Sequence, residues 1–181
     1  MKRWMILILT LVLVLGMAGC SSGKTGSTGK RRRGDDPFEG LYYTQSREDV
    51  IALLGDPDTI RRPTSAAGNS DIYDTYENAQ CCGYKGVLTV YYTGSFTYET
   101  LTVYTVEFKI ANISEKERTN VPVIFNKIKE YYSGKYTCTG DYTDTVFWDR
   151  GHAYISNANE QIRLYRDTLN LTNPISVWLI R

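Results

Sequence analysis

His152 is the only histidine in this 181-residue chain, so any Ser-His-Asp or Cys-His catalyst would have to use it as the base that takes the nucleophile's proton. It follows Gly151 in a turn-like stretch, where a polar ring is most simply a surface residue at a strand end. Asp141, Asp144 and Asp149 flank Tyr142 and Trp148, and a glycan-cleaving pair of carboxylates beside a stacking ring would look similar. An ordinary acidic loop would too. With Tyr154, these two rings are the candidate binding aromatics. The aspartates do not follow the alternating ligand spacing of a calcium-binding EF-hand loop. A glycine-rich phosphate loop, His-Glu-x-x-His and Cys-x-x-Cys are all missing from the sequence. Cys81, Cys82 and Cys138 lack a convincing fourth ligand for structural zinc. No catalytic residue, metal or cofactor is therefore assigned.

The elements that would position these residues read as a small α+β domain. Ser46 and Asp49 form a capping-box pattern ahead of an apolar face made by Val50, Ile51, Leu53 and Leu54. Gly55 and Pro57 stop that helix. Strands are expected over Asp71–Glu77, Gly86–Tyr92 and Tyr98–Ile110, with Asn78–Lys85 as a loop. In the third strand Tyr104, Val106, Phe108 and Ile110 are expected on one face, with Glu107 and Lys109 on the other. A second helix is expected from a Thr119 or Asn120 cap to Ser133-Gly134, with Val121, Ile124, Phe125, Ile128 and Tyr132 on one stripe. Four more strands follow: Thr145–Trp148, His152–Ser156 after an Asp149-Arg150-Gly151 turn, Gln161–Asp167 and Ile175–Arg181. The expected fold is an antiparallel β-sheet with two helices packed on one face. Its order also fits two α-β-β-β halves, 38–110 and 115–181, although no residue-level repeat proves duplication.

The first residues concern export. Lys2 and Arg3 precede an apolar run from Trp4 to Leu15 broken only by Thr10, which is shorter than the roughly 20 residues a bilayer span needs and fits a secretory signal. Gly16-Met17-Ala18-Gly19-Cys20 resembles a lipobox, with Met17 in place of the more usual leucine. That resemblance implies removal of residues 1–19 and acylation of Cys20, which with two or three chains holds a protein stably on a membrane. Residues 20–37 then read as a lipidated, flexible tether, since Ser21–Gly34 carries no apolar residue. Its Lys30-Arg31-Arg32-Arg33 run suits anionic headgroups, or is simply solvated. Export also permits disulfides. One bridge from Cys138 to Cys81 or Cys82 is expected, leaving one thiol over; a vicinal Cys81–Cys82 bridge is possible but strained.

From Phe38 to Arg181 there are 14 basic and 18 acidic residues, so the single domain 38–181 is mildly acidic. Nucleic acid is excluded as a main partner, because phosphate backbones are held by basic surfaces. The chain has 15 tyrosines. They sit well on half-buried sheet surface, and such rings are also enriched in the cores of protein interfaces.

Ser46 to Pro57, Ser-Arg-Glu-Asp-Val-Ile-Ala-Leu-Leu-Gly-Asp-Pro, resembles a motif of the SmpA/OmlA lipoproteins of outer-membrane barrel assembly and of the β-lactamase-inhibitor-like domains. The match covers about a dozen residues and the order of elements; no functional residue transfers. It implies a non-enzymatic module that binds proteins through its sheet. The expectation is thus a lipid-anchored, extracytoplasmic lipoprotein with an envelope protein partner, on the outer membrane if the cell has one. A cell-wall glycan-binding or glycan-hydrolysing lipoprotein using Tyr142, Trp148 and the aspartates is the alternative.

Overall fold

The computed structural model describes residues 35–62, 72–94, 101–111, 113–152, 159–170 and 172–181. The leader, Cys20, most of the tether and Tyr154 lie outside these residues.

Helix α1 (Arg47–Leu54) begins as its sequence predicts. Ser46 Oγ accepts from the Asp49 N–H at 3.1 Å and donates to the Asp49 carboxylate at 2.7 Å, and Gly55 closes the helix with φ 85°. Helix α2 (Val121–Ser133) buries Ile124, Phe125, Ile128 and Tyr132. Its entry differs from the expectation. Asn120 makes no side-chain cap bond, because a 3-10 turn over Glu115–Asn120 leads straight into the helix. The capping bonds lie upstream, where Ser114 donates both N–H and O–H to the Glu117 carboxylate.

Among the described residues eight strands form one antiparallel sheet. They are β1 (Thr59–Arg61), β2 (Ile72–Cys81), β3 (Tyr84–Thr93), β4 (Thr102–Ile110), β5 (Thr137–Asp141), β6 (Thr145–His152), β7 (Asn159–Arg166) and β8 (Ile175–Ile180). Their spatial order is β1-β2-β3-β4-β8-β7-β6-β5. Each helix is thus followed by a four-stranded meander, and the two meanders join where β4 pairs with β8, Phe108 opposite Val177. One cross-strand row runs Asp74, Val90, Val106, Leu179, Ile162, Trp148, and every member is buried. The apolar members of this row and their neighbours Leu88, Phe108, Val177, Leu164 and Val146 lie in the core.

Three corrections concern turns and registers. Asp149-Arg150-Gly151 is a bulge inside a continuous β6, not a hairpin turn: Gly151 takes φ 101° and donates its N–H to Asp149 Oδ1. The bulge lets Arg150 reach the carbonyls of Phe38 and Leu41 and the carboxylate of Glu160. The expected 78–85 loop is instead the end of β2, a tight turn at Cys82 and Gly83 (φ 52° and 83°), and the start of β3. Positive φ at both central residues is what a two-residue hairpin of matching twist requires. Gly86 follows, where an added Cβ would lie 2.2 Å from the Lys109 carbonyl oxygen. Lastly, the β3–β4 register shifts between Tyr91 and Tyr92, leaving Tyr104 as the extra residue between Val103 and Thr105. Val106, Phe108 and Ile110 are buried as one face, but Tyr104, expected with them, turns outward.

Candidate functional site

Alternation along the strands places a second set of side chains on the opposite face of the sheet from the core row. The row there runs Phe147, Arg163, Trp178, Glu107, Thr89 and Thr75. Beside it, Tyr91 pairs with Tyr73, and Tyr73 with Arg61. The rings form a connected strip. Tyr73 lies 5.4 Å from Tyr91; Tyr91 lies 6.1 Å from Tyr104 and stacks at 14° on Trp178, 6.5 Å away. These spacings are those of favourable aromatic pairs. All four rings are only half-buried.

Guanidiniums lie over the strip. Arg163 Cζ is 5.8 Å from the Trp178 ring and 5.6 Å from Tyr165, while Arg61 covers Tyr73 at 5.7 Å. Arg181 covers Tyr43 at 5.4 Å. Between them is an open cleft of about 380 Å³, walled by Tyr43, Tyr104, Thr105, Arg163, Trp178, Ile180 and Arg181.

Glu107 belongs to this row yet is 2% exposed. Tyr91 donates its hydroxyl to Oε2 at 3.2 Å, and Lys109 Nζ stands 2.9 Å from Oε1. A carboxylate buried beside rings is costly unless so paired. Here it orders Tyr91, the central ring of the strip. Trp178 is oriented in turn by its own Nε1, which donates to Ser176 Oγ at 2.9 Å.

The residues expected from the sequence fare differently. Trp148 is no binding aromatic: it is fully buried, packed 5.6 Å from Tyr132 and donating Nε1 to Ser133 Oγ at 3.1 Å. Its neighbours Val146 and Ile162 place it on the core parity. Tyr142 is 66% exposed and meets Phe147 edge-on at 6.4 Å, which puts it beside the far end of the open row. Tyr154 lies outside the described residues. The aspartates are each engaged separately: Asp141 with Lys129, Asp144 with Arg166, and Asp149 with the Gly151 N–H.

Cys81, Cys82 and Cys138 are free thiols, so the expected Cys138 bridge is not formed. Cys138 is exposed on the edge strand β5, whereas Cys81 and Cys82 are buried at the β2–β3 turn with Sγ atoms 3.9 Å apart. The Cys82 hydrogen bond and burial push the Cys81 thiol well up, while the same contact lowers Cys82. Among the described residues no three of His, Cys, Asp and Glu converge to hold a metal, and no helix is long and apolar enough to cross a membrane.

The residues missed by sequence reasoning are Tyr73, Tyr91, Tyr104, Arg163 and Trp178. One signal was available: in Ile175–Ile180, Ile, Val and Leu take one parity and Ser, Trp and Ile the other. A tryptophan on the non-core parity is the mark of a displayed ring. No family model, curated protein or solved structure matches the chain.

Proposed function

We propose that this protein is a membrane-anchored extracytoplasmic lipoprotein, acylated on Cys20, whose domain is a non-enzymatic module that binds a protein partner of the cell envelope through its open sheet face. The observation that carries the reading is the stacked Tyr91–Trp178 pair and its flanking tyrosines and arginines, left half-exposed in one strip. Trp, Tyr and Arg are the residues on which interface energy concentrates, and a face that carries them half-exposed in one strip suits that role.

In this reading both helices lie against the core face and leave the other bare. Arg47 of α1 pairs with Asp74 at 2.7 Å, and Tyr132 of α2 packs on Trp148; Asp74 and Trp148 are the two ends of the same buried row. The partner then meets the face rather than an edge. The edge strands are short, three residues in β1 and five in β5, and offer little backbone for strand addition. The leader and lipobox resemblance, the basic tether and the resemblance of Ser46–Pro57 to envelope-assembly lipoproteins support the same setting.

The test is photo-crosslinking in cells. A benzophenone amino acid replacing Tyr73 is expected to capture an envelope protein, while one replacing Lys129 on α2 captures none. Capture from Lys129 alone, or from neither position, would overturn the reading. Labelled palmitate is expected to enter the protein and to be lost with Cys20→Ser.

A further inference from the structure

We infer that the cleft beside Trp178 is a carboxylate-recognition site, and that the partner presents to it an acidic, extended peptide segment. This inference rests on the open face being the partner-binding surface.

The cleft carries unmet charge. Arg47 and Arg62 pair with Asp74, Arg150 with Glu160 and Arg166 with Asp144. Arg163 and Arg181 differ. Among the described residues neither makes an ion pair, and each is laid over a ring at the cleft. Arg163 Nε is moreover buried without a hydrogen-bond partner. A buried donor left unmet costs free energy, which marks the Arg163 guanidinium as unsatisfied by the domain's own acceptors. The only carboxylate in the same cross-strand row, Glu107, is already taken by Tyr91 and Lys109. An otherwise acidic domain thus carries a local pair of free guanidiniums on its aromatic face.

The planar fork of a guanidinium matches a carboxylate in two parallel hydrogen bonds. Stacking on Trp178 and Tyr165 fixes the plane of Arg163 in advance, so less order is lost on binding. Trp178 and Ile180 supply an apolar wall for the residue next to that carboxylate. A sugar would want hydroxyl and amide groups, and the Thr105 hydroxyl is committed to the Leu179 carbonyl at 2.9 Å. An anionic glycan would offer its carboxylates to the same guanidiniums, and the competitor below tests for it.

The experiment uses the full-length protein in detergent and two labelled pentapeptides, Glu-Tyr-Glu-Tyr-Glu and Gln-Tyr-Gln-Tyr-Gln, read by fluorescence anisotropy, with hyaluronate as competitor. The acidic peptide is expected to bind and the glutamine peptide to bind at least about tenfold more weakly, in keeping with the strength of charged hydrogen bonds. Arg163→Gln and Arg181→Gln should each cost about tenfold, and added salt should weaken binding. Arg181 is exposed and outside β8, so its variant keeps the sheet whatever Arg163→Gln does. Equal binding of both peptides, arginine variants that bind like the parent, or hyaluronate displacing the acidic peptide would each overturn the inference. Crosslinking from Tyr73 that persists when acidic peptides fail to bind would sink the carboxylate site alone; loss of both would sink the broader function with it.

Discussion

Trp148 and Trp178 sit in strands on either side of β7, each near the middle of its strand, yet they point to opposite faces of the sheet. Trp148 shares its row with Ile162 and Leu179 and disappears under Tyr132. Trp178 shares its row with Arg163 and Glu107 and stacks on Tyr91 in the open. Both indole N–H groups donate to a serine, Ser133 in one case and Ser176 in the other. Residue type, strand context and hydrogen bonding are therefore equivalent. Parity alone separates the buried ring from the half-exposed one.

That comparison can be broken by mutation. Trp148→Ala should cost the most, about 3–5 kcal/mol of stability for a buried ring and its cavity, read as a large drop in the urea midpoint. An effect near 1 kcal/mol would mean that the α2 face is not a packed core. Gly86→Ala comes next, at about 1–3 kcal/mol, because its Cβ would press on the Lys109 carbonyl and the Phe108 ring where β3 pairs with β4. Unchanged chemical denaturation would show that the β3–β4 pairing can shift there.

Trp178→Ala sharpens the contrast from the other side. A half-buried ring should cost about 1 kcal/mol of stability but abolish crosslinking from Tyr73. Full retention of the crosslink would remove the face from the binding account. Ser46→Ala touches neither face and should cost about 1 kcal/mol, the usual worth of a cap, through faster amide exchange in α1. The smallest perturbation is chemical labelling: native protein should alkylate at Cys138 alone, and Cys81 and Cys82 only after unfolding. A single reactive thiol after unfolding would reveal a disulfide.

Much of the local structure was legible. Ser46, Asp49 and Gly55 bound α1, and the stripe Ile124, Phe125, Ile128 and Tyr132 identified α2, since caps and periodicity act within a few residues. The edge strands β1 and β5 were not. Their residues are almost all exposed, so no buried alternation marks them, and it is pairing to a neighbour that makes them strands. The glycine of Asp149-Arg150-Gly151 suited a turn and a bulge equally, and only the long pairing of β6 with β7 selects the bulge. Tyr104 was assigned to the wrong face because one extra residue inverts the parity of all that precede it, and nothing in Thr102–Ile110 announces where the extra residue falls. Trp148 was named as a binding ring, and Trp178 and the tyrosines beside it were not, because alternation alone does not say which parity is buried.

Taken by itself, the order of residues settled where α1 begins and ends, the buried stripe of α2 and the alternation along a bulge-free strand such as β8, because those depend on contacts a few residues apart. The union of the two meanders at β4 and β8 belongs to the tertiary structure. It alone brings Tyr91 against Trp178 and sets Arg163 and Arg181 at one cleft. Burial of apolar surface has no preferred direction, so alternation defines two faces, and only the packing of distant elements determines which one stays in water.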